Sequence, residues 1–217
     1  MACFIDKYYA AAVDKNEKYG IIKTEGVETL EQAKKRDHKI YITDVAIDKV
    51  SRSDIPYLTQ VQNDMIYINH ISILKISQTD NDSNEVASLL DLYTNESAVS
   101  LGDEHEVNVF LNPNAVSMSD HAEDGSLFLA HNHPSTQDFS YSDLGVFLMN
   151  DSIGGLSVVS NTGDVHILFK SEKYNFARAY ELMASIKSQY DSYDSEVDRL
   201  MVKEFLKNSK TVGIMQF

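Results

Sequence analysis

The sequence predicts an α+β protein in which helices pack on a mixed β-sheet. LFLAH at 127–131 is apolar up to its histidine, which is typical of a strand buried on both faces. LSVVS-NTGD-VHILFK at 156–170 predicts a β-hairpin with a Thr162-Gly163 turn. Helices are indicated by apolar side chains that recur every three or four positions over residues 173–208.

The N-terminal part of the chain predicts a helix, a strand and a second helix. VETLEQAKKRDHK at 27–39 has the pattern of a polar helix, and KIYITDVAI at 39–47 alternates like a strand. Residues 51–78 predict a longer helix with a broad apolar stripe. His70 lies within that stripe, and we interpret it as a packing histidine.

The middle of the chain predicts two helices on either side of a strand pair. A polar break at 79–84 precedes a helix that begins near Glu85. ESAVSL at 96–101 and EHEVNVFLN at 104–112 predict two strands joined by a Gly-Asp turn. Pro113 starts a short helix that ends before the buried strand.

The remaining predicted helix is DLGVFLMND at 143–151, which Gly154 and Gly155 are expected to stop. The central part of the chain therefore holds most of the predicted strands. The predicted organisation is a lead segment with a helix at 1–79, a central domain at 80–172 and a C-terminal helical extension at 173–217.

Composition excludes several classes of protein. Of the 217 residues, 43% are hydrophobic and 24% are charged, and the net charge is −14. A surface with this much negative charge repels phosphate backbones, which argues against a nucleic-acid partner. Cys3 is the only cysteine, and the sequence has neither a convincing signal peptide nor an apolar run of ~20 residues. We therefore expect a cytoplasmic protein without a membrane partner.

The run LFLAHNHPSTQDFSYSD at 127–143 combines residues that bind metals. Side chains two positions apart in a strand share a face, so His131 and His133 can direct both imidazoles to one point. Asp143 can add an anionic ligand once the chain turns back. Two histidines and a carboxylate, with one position left for water, form a type of catalytic zinc site.

This run resembles the JAMM motif of the JAB/MPN zinc metalloproteases, and especially their RadC-like and phage-type branch. HNHPS stands complete, and Ser140 and Asp143 give the motif's Ser-x-x-Asp. Six residues separate His133 from Ser140, one fewer than is usual in the family. The resemblance implies a cytidine-deaminase-like α/β/α fold and a zinc hydrolase domain at 80–172.

The family also has an upstream glutamate on a helix behind the metal, which acts as the base. The segment that begins at Glu85, EVASLLDL, resembles the family's pattern, although serine and leucine replace its two glycines. We therefore predict Glu85 as the base and Glu96 as the second choice. Glu104 and Glu106 are weaker rivals, because little chain separates them from the buried strand.

The resemblance implies a role for each residue of the motif. His131, His133 and Asp143 would bind Zn²⁺, and Glu85 would take a proton from water. The hydroxyl of Ser140 would stabilise the developing oxyanion. Ser-x-x-Asp is also a common helix cap, so Ser140 has the alternative role of capping the helix that follows it.

The function that the resemblance implies is a zinc-dependent peptidase or isopeptidase. Its substrate would be a protein or peptide, such as a ubiquitin-like modifier or a precursor protein. One alternative is a non-catalytic JAB-type module for protein interaction or assembly, in a phage particle for example, because the flanking helices make up about half the chain. A RadC-like association with DNA is the other alternative, which the charge of −14 opposes.

Overall fold

The computed structural model describes residues 39–191 and 194–217. Its helices in that part of the chain are α1 Asp44–Lys49, α2 Gln60–Asp80, α3 Pro113–His121, α4 Tyr141–Met149, α5 Phe176–Lys187 and α6 Ser195–Asn208. Its strands are β1 Val86–Asp91, β2 Ser97–Leu101, β3 Leu127–His133, β4 Ile153–Ser160, β5 Val165–Lys170 and β6 Ile214–Gln216. Cys3 and the helix predicted at 27–39, except Lys39, lie outside the described residues.

The strands of the described residues form one mixed sheet of six strands in the order β2-β1-β3-β4-β5-β6. β3 and β4 are parallel, and every other neighbouring pair is antiparallel. The sheet confirms the predicted α+β class. Strands β4 and β5 form the predicted hairpin. The run at 127–143, which contains the two histidines, begins with β3.

Helices cover both faces of this sheet. On one face, α2 packs Ile66, Ile73 and Leu74 against apolar side chains of β1 and β3. On the other face, a second core joins α4, α5 and α6 to the alternate side chains of the same strands, such as Leu129. Because β3 lies near the middle of the sheet, its alternating side chains enter two separate cores. None of the described helices is both long and apolar enough to cross a membrane.

Two predicted elements of the N-terminal half have the wrong type. The strand predicted at 39–47 is wrong, because α1 begins within it after Thr43, whose side chain accepts the N–H of Ala46. The helix predicted to begin near Glu85 is also wrong, since Glu85 directly precedes strand β1. Val86 to Leu90 are buried on both faces of the sheet, and such a strand shows no alternation in sequence.

Three further predictions need correction. The strand predicted at 104–112 is a loop followed by a 3-10 helix at Val109–Leu111. Gly154 does not stop α4 but lies in β4, where an added Cβ atom would clash with the carbonyl oxygen of Gly125. The predicted extension at 173–217 is not purely helical, since it contributes β6 to the sheet.

Candidate metal centre

Strand β3 places two histidines on the same face of the sheet. All seven of its residues are buried, and Leu127 and Leu129 point into the core beneath α4. The period of two therefore directs His131 and His133 to that face as well. Pairing with β4 continues through His133, which lies opposite Ser160 and fixes the end of the strand.

Helix α4 brings the carboxylate. After the loop that leaves β3, Ser140 caps α4, and Asp143 is the third residue of the helix. The side chain of Ser140 accepts the N–H of Asp143 at 3.1 Å, and a carboxylate oxygen of Asp143 accepts the N–H of Ser140 at 2.7 Å. Asp198 of α6 accepts the N–H of Tyr141 at 3.2 Å, which ties the first turn to a second helix.

The three predicted ligands converge. The Nε2 atoms of His131 and His133 are 3.0 Å apart, and they lie 3.5 and 3.6 Å from Oδ2 of Asp143. In the plane of these three atoms, the point equidistant from them lies about 2.0 Å from each. Zinc bonds to these atom types measure ~2.0–2.2 Å. These residues thus form a group that could bind a metal ion.

The electrostatics of the group also suit a cation. Although burial alone would act in the opposite direction, His131, His133 and Ser140 hold the pKa of Asp143 well below its usual range, so it is an anion. Burial and the neighbouring His131 lower the pKa of His133 to about 4, which keeps its imidazole neutral. For His131, burial lowers the pKa, but Asp143 and Glu85 outweigh it and raise the pKa overall. A metal ion at this point would compete with a proton on His131.

Glu85 lies on the same face as the histidines, although it is not on a helix. Ala87 of β1 pairs with His131, so two residues further along this register Glu85 lies opposite His133. The backbone N–H of Glu85 donates to Asp103, and its carbonyl accepts from Gly102 and from the side chain of Asn81. The main chain of Glu85 is therefore fixed beside the ligands.

The carboxyl of Glu85 is almost completely buried, with 7% of the residue exposed. Burial raises its pKa, His131 lowers it, the carboxylates of Asp143, Asp103 and Glu106 raise it, and together these effects bring the pKa to about 8. A cation at the ligands would act in the same direction as His131 and favour the carboxylate.

The other glutamates do not occupy an equivalent position. The carbonyl of Glu96 accepts the N–H of Asp91, which lies at the end of β1 away from Glu85, six residues or ~20 Å along the chain from it. Glu104 and Glu106 are exposed in the loop that follows β2. Among the four glutamates named in the sequence, Glu85 is the buried one facing the histidines.

Ser140 has the helix cap that its alternative role predicts. Its hydroxyl oxygen accepts from Asp143, and this uses a lone pair rather than the hydroxyl proton. A serine can therefore cap α4 and still donate a hydrogen bond from the same oxygen. The predicted oxyanion role of Ser140 stays a prediction.

Two positioning contacts could not be predicted from the sequence. Asp198 lies in a helix far along the chain, and an acidic residue in a first helical turn indicates only a favourable helix dipole. The side chain of Asn132 points away from the ligands, into a buried hydrogen-bond network on the α2 face that no local pattern indicates.

Comparisons with known proteins gave no match. No protein-family model, no curated protein and no solved structure matches the chain. The resemblance to the JAB/MPN proteins therefore depends on the motif residues and on the geometry in which they lie.

Proposed function

We propose that the chain is a zinc-dependent peptidase or isopeptidase of the JAMM type, with a fold of the JAB/MPN kind. The observation that carries the proposal is the convergence of His131, His133 and Asp143, with the buried carboxyl of Glu85 on the same face. Three ligands leave a zinc ion with an open position, as in catalytic rather than structural sites.

His131, His133 and Asp143 would hold the metal. When bound there, zinc would supply a Lewis acid that polarises a peptide carbonyl and lowers the pKa of a water molecule to about 7. Its ligands are two neutral imidazoles and one carboxylate, so the site would keep a net positive charge.

Glu85 would act as the base. Its carboxylate would take the proton of the attacking water and pass it to the nitrogen of the leaving amine. The same group therefore serves as base and then as acid, and a pKa raised by burial suits the second task. Its fixed main chain limits the positions that the carboxyl can reach.

The hydroxyl of Ser140 would donate a hydrogen bond to the carbonyl oxygen of the substrate. Its capping bond with Asp143 fixes the oxygen next to a metal ligand. The proposed substrate is a protein or peptide, such as a ubiquitin-like modifier or a precursor protein.

The direct test is hydrolysis by the full chain. Protein loaded with Zn²⁺ should cleave a mixed library of peptides and isopeptide-linked peptides, and mass spectrometry should locate the cleaved bonds. Dialysis against a chelator should abolish cleavage, and added Zn²⁺ should restore it. A chain that holds zinc on the three ligands but cleaves no member of the library would instead favour the interaction module.

A further inference from the structure

Asn132, between the two histidines, makes an unusual pair of contacts. Its side chain is fully buried on the α2 face of the sheet. Oδ1 accepts the N–H of Val86 at 2.7 Å, and Nδ2 donates to the carbonyl of Asn84 at 3.1 Å. These two groups belong to the peptide bonds on either side of Glu85.

The side-chain amide of Asn132 therefore makes the two hydrogen bonds that the backbone of β3 would otherwise make to this part of the chain. In an antiparallel pair, the N–H and C=O groups that face the partner bind its backbone. The backbone pairing of β1 with β3 ends at Ala87 and His131. Beyond that pair, the amide of Asn132 binds the two peptide groups on either side of Glu85.

We propose that Asn132 is a positioning residue that sets the distance between the carboxyl of Glu85 and the metal ligands; this rests on the proposed function. Three consecutive residues, 131–133, would then determine the positions of both the metal and the base. His131 and His133 fix the metal from one face of the sheet. Asn132 fixes the base from the other face and leaves room between them for the reacting groups.

Further buried polar groups surround the amide of Asn132. Nδ2 also donates to Oδ1 of Asn161 at 2.8 Å and lies 3.2 Å from Oγ of Ser77. Asn161 in turn donates to the carbonyls of Ile40 and Ser83. The amide offers an acceptor to Val86 and a donor to Asn84 at once, from two different atoms.

Asn161 offers a matched control. It belongs to the same buried network, but its own hydrogen bonds go to Ile40, Ser83 and Asn132 rather than to the peptide bonds of Glu85. Asn161→Ala therefore opens the network without releasing Glu85 directly. Asn132→Ala opens it and also removes both contacts to the peptide bonds on either side of Glu85, while the bonds of Glu85 to Asp103, Gly102 and Asn81 remain.

The test uses the full chain with Co²⁺ as the probe metal and NMR of the backbone amides. Asn132→Ala should bind one Co²⁺ per chain, but the shifts that Co²⁺ induces at the amides of Glu85 and Val86 should change. Its kcat should fall by about 10- to 100-fold with little change in KM, since a misplacement of ~1 Å can cost that much. Asn161→Ala should keep both the induced shifts and kcat within about twofold of the wild type, although its melting temperature should fall.

Equal changes in the two variants, or unchanged induced shifts in Asn132→Ala, would overturn the proposal. If the alanine variant does not fold, the isosteric Asn132→Asp keeps an acceptor for Val86, removes the donor to Asn84 and gives the same comparison. A wild type that cleaves no peptide would refute the proposed hydrolase instead. The Co²⁺-induced shifts would still decide the role of Asn132.

Discussion

The two faces of β3 are both buried and both polar, but their polar atoms are arranged in opposite ways. On the α2 face, donors meet acceptors: Asn132 binds Val86 and Asn84, and Nε2 of His70 lies 2.7 Å from the hydroxyl of Ser157. On the α4 face, two imidazole nitrogens and a carboxylate oxygen point at one another.

This difference separates a network of satisfied hydrogen bonds from a group that could bind a metal ion. Burial lowers the pKa of His70 to about 4, so His70 is neutral and a hydroxyl satisfies it. On the other face, two ring nitrogens and a carboxylate oxygen converge, and a proton or a metal ion between them offsets the repulsion of their lone pairs. Buried histidines alone therefore do not indicate function, whereas the partners of their ring nitrogens do.

The largest expected effect on activity comes from Glu85→Gln. The variant should lower hydrolysis by about 100-fold or more, because the amide cannot take a proton. It should keep its zinc, since Glu85 lies beside the ligand set and is not part of it. Zinc content and kcat are measured on the same sample. The matched control is Glu96→Gln at the far end of β1, and an equal loss of activity there would reject Glu85 as the base.

Ser140 can be tested by separating its two roles. Ser140→Ala should cost about 1 kcal/mol of stability, as loss of a helix cap does, and about 100-fold in turnover, as loss of an oxyanion donor does. Ser140→Gly is a better cap than alanine, so its stability should be closer to the wild type while its turnover falls equally. Chemical denaturation and kcat per folded molecule are the measurements. Unchanged turnover in the glycine variant would leave only the capping role.

A smaller effect should appear in the pH dependence of the metal-free protein. Burial raises the pKa of Glu85 from 4.5 to about 8, so the folded chain binds a proton that the unfolded chain releases. The stability from this proton is complete below pH 4.5 and disappears as the pH rises to about 8.

Glu85→Gln imitates the protonated carboxyl at every pH. Between pH 5 and 8, the metal-free wild type should therefore lose more unfolding free energy than Glu85→Gln does. Urea denaturation of both proteins at several pH values measures this difference. Parallel pH profiles would show that the carboxyl of Glu85 is not buried as described.

The sequence predicted elements with strong local signals. The long apolar stripe of α2, the run into β3 and the turn between β4 and β5 each have a clear period or turn residue. β1 was mistaken for a helix because a strand buried on both faces has no alternation, and its Ala, Ser and Leu do not favour a strand. In such a segment the tertiary environment decides the secondary structure.

The same reasoning explains how much of the site could be predicted. The spacing of His131, His133 and Asp143 is local, so their convergence followed from strand period and motif. Glu85 was placed beside them through the resemblance, but on the wrong type of element. The two hydrogen bonds from Asn132 to the peptide bonds beside Glu85 depend on the register of β1 against β3, which no local pattern in the sequence specifies.

Metal analysis of the purified full chain tests the central claim most directly. The wild type should carry about one zinc ion per chain, as a site with three ligands and an open position does. His131→Ala combined with His133→Ala should carry none. His70→Gln, which changes the buried histidine of the opposite face, should keep its zinc. A double variant that retains zinc, or a wild type that takes up none, would contradict the assignment of the α4 face as a metal site.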